Sequence, residues 1–139
     1  MPLQYHPKIG TVVICDYQTG FHPPEMQKRR PVVIISPRLR QRNDLCTVVP
    51  LSTTPPNPSC DFHCVLSGLG LPSPYDAQDH WVKADMLATV GFQRLQLPFV
   101  GRGSGTRKYV TKIISDEQLA MVKCCVLHAL GMKELTVHV

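Results

Sequence analysis

A mainly β domain, either a small barrel or a sandwich, with one helix near its C-terminal end, is the fold class this sequence predicts. Three observations predict it. Short runs rich in valine, isoleucine and threonine recur along the chain, each bounded by glycine, proline or asparagine-rich turns. No helical pattern alternates with those runs, which argues against a parallel sheet with crossover helices. A helix start and a helix stop appear together only once, late in the chain, at Ser115 and Gly131.

Each element follows from local chemistry. Gly10 breaks the lead-in, and Thr11 to Cys15 is a short apolar strand. Asp16 to Pro24 is a loop carrying Gly20, Pro23 and Pro24. Pro31 cannot donate to a sheet ladder, so it is expected at the first residue of the next strand. Val32 to Ile35 then read as a buried strand, because stiff β-branched side chains pack well on a pleated surface. Arg38 to Asp44 turns the chain into a third strand, Cys46 to Leu51, and the proline-rich 52–58 segment ends it. Phe62 to Leu66 and Trp81 to Leu87 are further strands, separated by the loop around Gly68, Gly70 and Pro74. Ser115 caps the helix, with Gln118 placed to complete a capping box. Leu119, Val122, Val126 and Leu130 recur at helical spacing and form its core stripe.

At 139 residues the chain is read as a single domain, residues 1–139, large enough to bury its own core. The formal net charge is +5, which permits nucleic-acid binding without proving it. The basic residues cluster: Lys28, Arg29, Arg30, Arg38, Arg40 and Arg42 crowd one segment, and Arg102, Arg107, Lys108 and Lys112 another. Merged by the fold, the two clusters would make a polyanion groove; unmerged, they are a solvated surface. No segment is apolar for the eighteen or so residues a membrane span needs, and the first residues lack the pattern of a signal peptide. A cytoplasmic protein is expected, with most of its six cysteines reduced. Cys60, His63 and Cys64 lie within five residues, but a structural zinc site needs a second ligand pair at regular spacing, so no metal or other cofactor is expected. The glycine-rich 101–108 stretch lacks the strand-to-helix context of a nucleotide loop and reads as a basic hairpin flanking a groove.

Arg30 stands at the mouth of a rigid strand, where a guanidinium can be aimed at an oxyanion. In order along the chain come Gly10 to Asp16, Glu25, Arg30-Pro31-Val32-Val33-Ile34-Ile35-Ser36-Pro37, and Val49-Pro50-Leu51-Ser52-Thr53. Val65-Leu66-Ser67-Gly68, Val82-Lys83-Ala84-Asp85 and the capped helix follow. This ordered set resembles the MazF/PemK (Kid) toxins of type II toxin-antitoxin systems, over nearly the whole chain. The resemblance implies an SH3-like small β-barrel of the CcdB/Kid/MazF type with a C-terminal α-helix, usually a homodimer. It also implies a sequence-specific, metal-independent endoribonuclease acting on single-stranded RNA, held in check by a cognate antitoxin that covers its RNA groove. In such cleavage the 2′-hydroxyl attacks the adjacent phosphate, leaving a 2′,3′-cyclic phosphate and a 5′-hydroxyl.

Carried over by position, Arg30 matches the arginine that stabilises the phosphorane, and Thr53 the strand-end threonine, with Ser52 a neighbouring donor. Read without the resemblance, Thr53 is a turn residue bonding its own backbone. Asp85 matches an acidic residue near the scissile phosphate. Two positions apart on a strand share a face, so Lys83 and Asp85 are expected to meet one phosphodiester, or else to form an ordinary ion pair. Lys83 stands where PemK-like enzymes carry arginine, and lysine lacks the bidentate fork. Glu25 reads a base edge, takes a proton, or pairs with Lys28 or Arg29. His22, in the same loop, is a second candidate base, since imidazole is the side chain that ordinarily changes charge near neutrality. Arg29, Lys28, Arg38, Arg107 and Lys108 are candidate RNA-backbone contacts. Trp81 and Phe92 stack on bases or belong to the core. A reading of a different class is a non-catalytic barrel that grips nucleic acid or, like CcdB, poisons a protein target. CcdB-like action depends on terminal aromatic residues, and the last six residues here, 134–139, have none.

Overall fold

In the computed structural model, which describes residues 1–103 and 106–139, ten short strands and one α-helix follow one another with two small 3-10 turns among them and a third after the helix. The strands are β1 (Thr11–Asp16), β2 (Arg29–Ile34), β3 (Leu45–Ser52), β4 (His63–Ser67), β5 (Asp79–Lys83) and β6 (Ala88–Gly91). β7 (Leu95–Gln96), β8 (Phe99–Gly103), β9 (Thr106–Tyr109) and β10 (Lys112–Ile113) precede α1 (Asp116–Ala129). The main sheet runs β10-β1-β2-β3-β5-β4, with β6 added to β3 and β7 to β1. Its pairings are antiparallel. Among the described residues no pairing joins β10 to β4, so the hydrogen-bonded path is open rather than a closed ring.

The valine-rich strands are apolar at successive positions because the sheet is covered on both sides. One core gathers Val13, Cys15, Val32, Ile34, Cys46 and Val48 with Leu3, Tyr17, Phe92 and Leu95. The other gathers Val12, Val33, Val49, Leu51, Leu66 and Val82 with Val122 and Cys125 of α1. Neighbouring residues of β1, β2 and β3 thus serve opposite cores, as the period of two requires. Phe92 is therefore a core residue rather than a stacking platform for bases.

The helix starts as expected. Ser115 Oγ accepts from the Gln118 amide and Gln118 Oε1 accepts from the Ser115 amide, both at 3.1 Å. Gly131 ends it at φ +73°, a left-handed conformation that glycine adopts without Cβ strain. The inward stripe is Val122 and Cys125, with Leu119, Val126 and Ala129 packed beside them. Leu130 is not part of it: as the C-cap it is 52% exposed.

Two strand limits differ from expectation. Pro31 is the third residue of β2, not the first. Its missing donor is tolerated because pairing of β2 with β3 begins only at Val32. The strand expected over 81–87 stops at Lys83, and Ala84–Met86 form a 3-10 turn. Ala84 is fully buried there, its amide donating to the Phe62 carbonyl and its carbonyl accepting from Leu87. The basic 101–108 stretch includes parts of the paired strands β8 and β9; residues 104 and 105 lie outside the described ones.

Candidate functional site

A cleft of about 230 Å³ opens where β2 begins and β3 ends, lined by Lys28, Arg29, Arg30, Ser52, Thr53, Thr54, Tyr75 and His80 among others. The backbone builds it. Lys28 takes φ +72°, a left-handed turn that costs a non-glycine residue on the order of 1 kcal/mol. The turn is held by the Tyr17 amide, which donates to the Lys28 carbonyl at 2.9 Å. It leaves the Gln27 carbonyl facing the next turn of chain, where Arg30 Nε donates to it at 2.8 Å.

That single bond orients the Arg30 guanidinium and spares its two Nη groups. Among the described residues no carboxylate lies within 4 Å of it, and no hydrogen bond uses either Nη. Burial pushes Arg30 down from its ordinary pKa, partly offset by the Tyr17 phenol, yet an arginine stays charged throughout the physiological range. Arg29 is used differently. It meets the Asp16 carboxylate at 3.5 Å on the exposed strand edge, so one of the two arginines is paired and the other is not.

Ser52 and Thr53 divide the roles expected of them. Ser52 Oγ accepts from the Thr54 amide at 3.1 Å, making the local turn that sequence reasoning gave to Thr53. Thr53 is exposed at the cleft and its hydroxyl has no hydrogen-bond partner among the described residues.

The acidic candidates sit elsewhere. Asp85 lies on the 3-10 turn rather than on β5, so it does not share a strand face with Lys83. With Glu25 it lines a separate cleft of about 360 Å³ floored by Tyr17, Phe21, Met26 and Met86. Glu25 Oε1 also accepts from the His22 amide at 3.2 Å, while the Glu25 amide donates to the His22 carbonyl, so the carboxylate closes its own loop. His22 is exposed on that loop and lines neither cleft. Lys83, at the end of β5 opposite His63, also lines neither.

The basic clusters merge only in part. Arg29 and Arg107 line a third cleft of about 330 Å³ together with Arg94, Asp16 and Phe99. Arg107 stacks over the Phe99 ring at 4.8 Å, and Arg94 over Phe21 at 4.7 Å. Arg94 Nη1 donates to the carbonyls of Asp16 and Thr19, bracing the loop after β1. Lys108 is exposed on β9. Arg38 is exposed in the loop beyond the far end of β2, away from Arg30. In the Cys60–Cys64 segment, His63 Nδ1 accepts from the Cys60 amide at 3.0 Å, so its ring serves a turn. No helix among the described residues is long and apolar enough to cross a membrane.

His80 was missed at the level of sequence. It is 1% exposed, and neither ring nitrogen has a hydrogen-bond partner of acceptable geometry among the described residues. The available signal was alternation: His80 and Val82 occupy the buried positions of β5, whose burial pattern alternates along the strand.

Comparison with known proteins agrees with this architecture. A family model described as PemK-like, MazF-like toxin of type II toxin-antitoxin system matches residues 8–130. The uncharacterized protein YifN of Escherichia coli K12 is 28% identical over 145 residues, covering 88% of this chain and 94% of that protein. Among solved structures, MazF of Deinococcus radiodurans superposes with a TM-score of 0.64 at 20% identity, covering 93% of this chain and 100% of that one. The MazE-MazF structure of the same organism gives 0.56 at 20% identity, covering 93% and 99%. At these identities the structural likeness speaks for the fold.

Proposed function

The chain belongs to the PemK-like, MazF-like toxins of type II toxin-antitoxin systems, and from that premise we propose that it is a metal-independent, sequence-specific endoribonuclease. Its substrate is single-stranded RNA, and cleavage of messenger RNA arrests translation and growth. The observation that carries this reading is the Arg30 guanidinium, anchored through Nε with both Nη groups unengaged among the described residues, in one cleft with Ser52 and Thr53.

The chemistry asks for a cation or donor on the phosphorane, an acceptor for the 2′-hydroxyl proton and a proton for the departing 5′ oxygen. Arg30 meets the first need: its two Nη groups make parallel hydrogen bonds to non-bridging phosphate oxygens. The Thr53 hydroxyl, without an internal partner, donates to the same phosphate. Ser52 can add its own O–H, because its oxygen accepts the Thr54 amide and its proton remains uncommitted. Arg29, Lys28 and Arg107 carry backbone phosphates to either side, the electrostatic share of RNA binding. Glu25 and Asp85, in the neighbouring cleft, accept hydrogen bonds from base amino groups of an adjoining nucleotide.

The same reading includes a homodimer whose sheet curls as an SH3-like barrel, and a cytoplasmic setting where RNA is met. It also includes a cognate antitoxin that covers the basic clefts, for which the solved MazE-MazF structure is the supporting analogy. The test is to incubate the pure protein with a mixed-sequence RNA in EDTA beside its Arg30→Ala variant. Cleavage by the wild type alone supports the proposal; no cleavage, or cleavage unaffected by Arg30→Ala, sinks it.

A further inference from the structure

The cleft that holds Arg30 and Thr53 contains two titratable groups that the preceding chemistry leaves unused, Tyr75 and His80. His80 lies on β5, which pairs with β3 through Leu51 opposite Val82 and Ser52 opposite Trp81. The next pair along that register is Thr53 and His80. The imidazole therefore sits behind the phosphate-binding hydroxyls, on the wall of the same cleft. It is 1% exposed; the Tyr75 and Ala77 backbone lies close to the ring, but neither nitrogen makes a hydrogen bond of good geometry among the described residues. A buried polar group left without a partner costs roughly 1–3 kcal/mol, so its persistence calls for a ligand that supplies the partner.

We propose that His80 is the catalytic residue that accepts the 2′-hydroxyl proton when RNA occupies this cleft; the inference rests on the endoribonuclease reading above. Of the residues weighed for that role, Glu25 and Asp85 line a different cleft and His22 lines neither, whereas His80 shares the space with Arg30, Ser52 and Thr53. With the phosphate on Arg30 and Thr53, the ribose oxygen bonded through two carbons to the attacked phosphodiester enters the depth of the cleft. A neutral imidazole offers that hydroxyl one acceptor nitrogen.

Burial, the dominant influence, holds His80 below its ordinary pKa against a smaller opposing pull from the Tyr75 and Ala77 backbone and from Asp79. Around it, β2 and the turn before it present Lys28, Arg29 and Arg30, and the 68–78 loop presents Tyr75; the β3 end presents no titratable side chain. Burial thus favours the neutral ring, which is ready to accept a proton at neutral pH.

In the step, the 2′ oxygen forms the new bond to phosphorus as its proton passes to the free ring nitrogen of His80. The bond from phosphorus to the 5′ oxygen breaks, and a water molecule protonates that oxygen. The resulting hydroxide then removes the proton from the imidazolium. Atoms and charge balance, and His80 returns to its starting state.

The experiment compares wild type with His80→Gln, which keeps a polar side chain of similar reach but cannot accept a proton in this range. The substrate is an RNA carrying a mapped cleavage site; the binding probe is the same oligonucleotide with a single 2′-deoxy nucleotide at that site. The proposal expects His80→Gln to bind the probe as the wild type does, to cleave about 100-fold or more slowly, and to lose the acidic limb of the pH–rate profile. Cleavage at the wild-type rate with that limb intact overturns the role of His80 while leaving the nuclease standing. A wild type that does not cleave overturns both. Should the variant fail to fold, nitrogen NMR of the wild-type His80 ring decides: it must shift on adding an RNA that ends at that site in a 2′-hydroxyl and a 3′-phosphate, which has no 5′ leaving group to lose, and an unmoved signal rejects the proposal.

Discussion

Arg30 Nε donates to the Gln27 carbonyl at 2.8 Å, a bond that its neighbour Arg29, paired with Asp16, does not share. It fixes the guanidinium plane three residues after its acceptor while spending only the donor that a bidentate phosphate contact does not need. Arg29, with its charge already opposed by Asp16 at 3.5 Å, has no such plane to offer.

Arg30→Ala is expected to lower the cleavage rate about 100- to 1,000-fold, the usual cost of removing one donor aimed at developing charge. Arg30→Lys keeps the charge without the fork and should recover only part of it. Arg29→Ala should instead weaken RNA binding across sequences and reduce the salt slope of affinity by about 1. Single-turnover kinetics and salt-dependent binding distinguish the two; equal effects on rate would remove the division.

Thr53→Val retains shape and deletes the unpartnered hydroxyl. A hydrogen bond to a charged group contributes about 1.5–3 kcal/mol, so the cleavage rate should fall roughly 10- to 100-fold with melting temperature unchanged. Ser52→Ala should lower both, costing about 1 kcal/mol of stability through the lost Thr54 bond and slowing cleavage through the lost O–H donor. Thermal melts paired with rates check both.

Ser115→Ala breaks the capping box and should cost about 1 kcal/mol, within the range measured for such caps. The melting temperature should drop by about 2–8 °C. Because no residue of α1 lines the cleft that holds Arg30, the cleavage rate of the folded protein should be unaltered.

The helix cap and the apolar strands were legible because they are local. Ser115 and Gln118 meet within one turn, and Val12, Val33 and Val49 are buried whatever lies opposite them. The start of β2 was legible for the same reason, although Pro31 is its third residue rather than its first. What failed depended on distant partners. Lys83 and Asp85 were assigned one strand face, but Ala84 anchors a 3-10 turn against the Phe62 carbonyl, and Phe62 lies 22 residues earlier in the chain. His80 was invisible because its cleft is built by β2 and the end of β3, neither of which adjoins it in sequence. Leu130 fitted the helical period and was still exposed, because the helix ends at its own cap there.

Stability should fall at both ends of the pH scale. Burial raises the Cys15 and Cys46 thiols to about 11 from an ordinary 9, so the folded state keeps protons that the unfolded chain releases. Their contribution is intact below pH 9 and is lost as pH rises through about 11. His80 is shifted down, so its contribution is present above the ordinary histidine range and is lost as pH falls through its lowered value. Denaturant midpoints measured against pH should form a plateau that slopes away on each side. A His80→Gln variant with an unchanged acid slope would contradict the assignment of that slope to His80.

The most direct measurement is the chemistry of the RNA ends left by the wild-type protein in EDTA. Cleavage by 2′-hydroxyl attack leaves 5′-hydroxyl ends that accept label from a polynucleotide kinase without prior phosphatase treatment, and 2′,3′-cyclic phosphates opposite them. The account predicts both, at discrete sites, and their disappearance in Arg30→Ala. RNA left intact, or ends bearing 5′-phosphates, would contradict it.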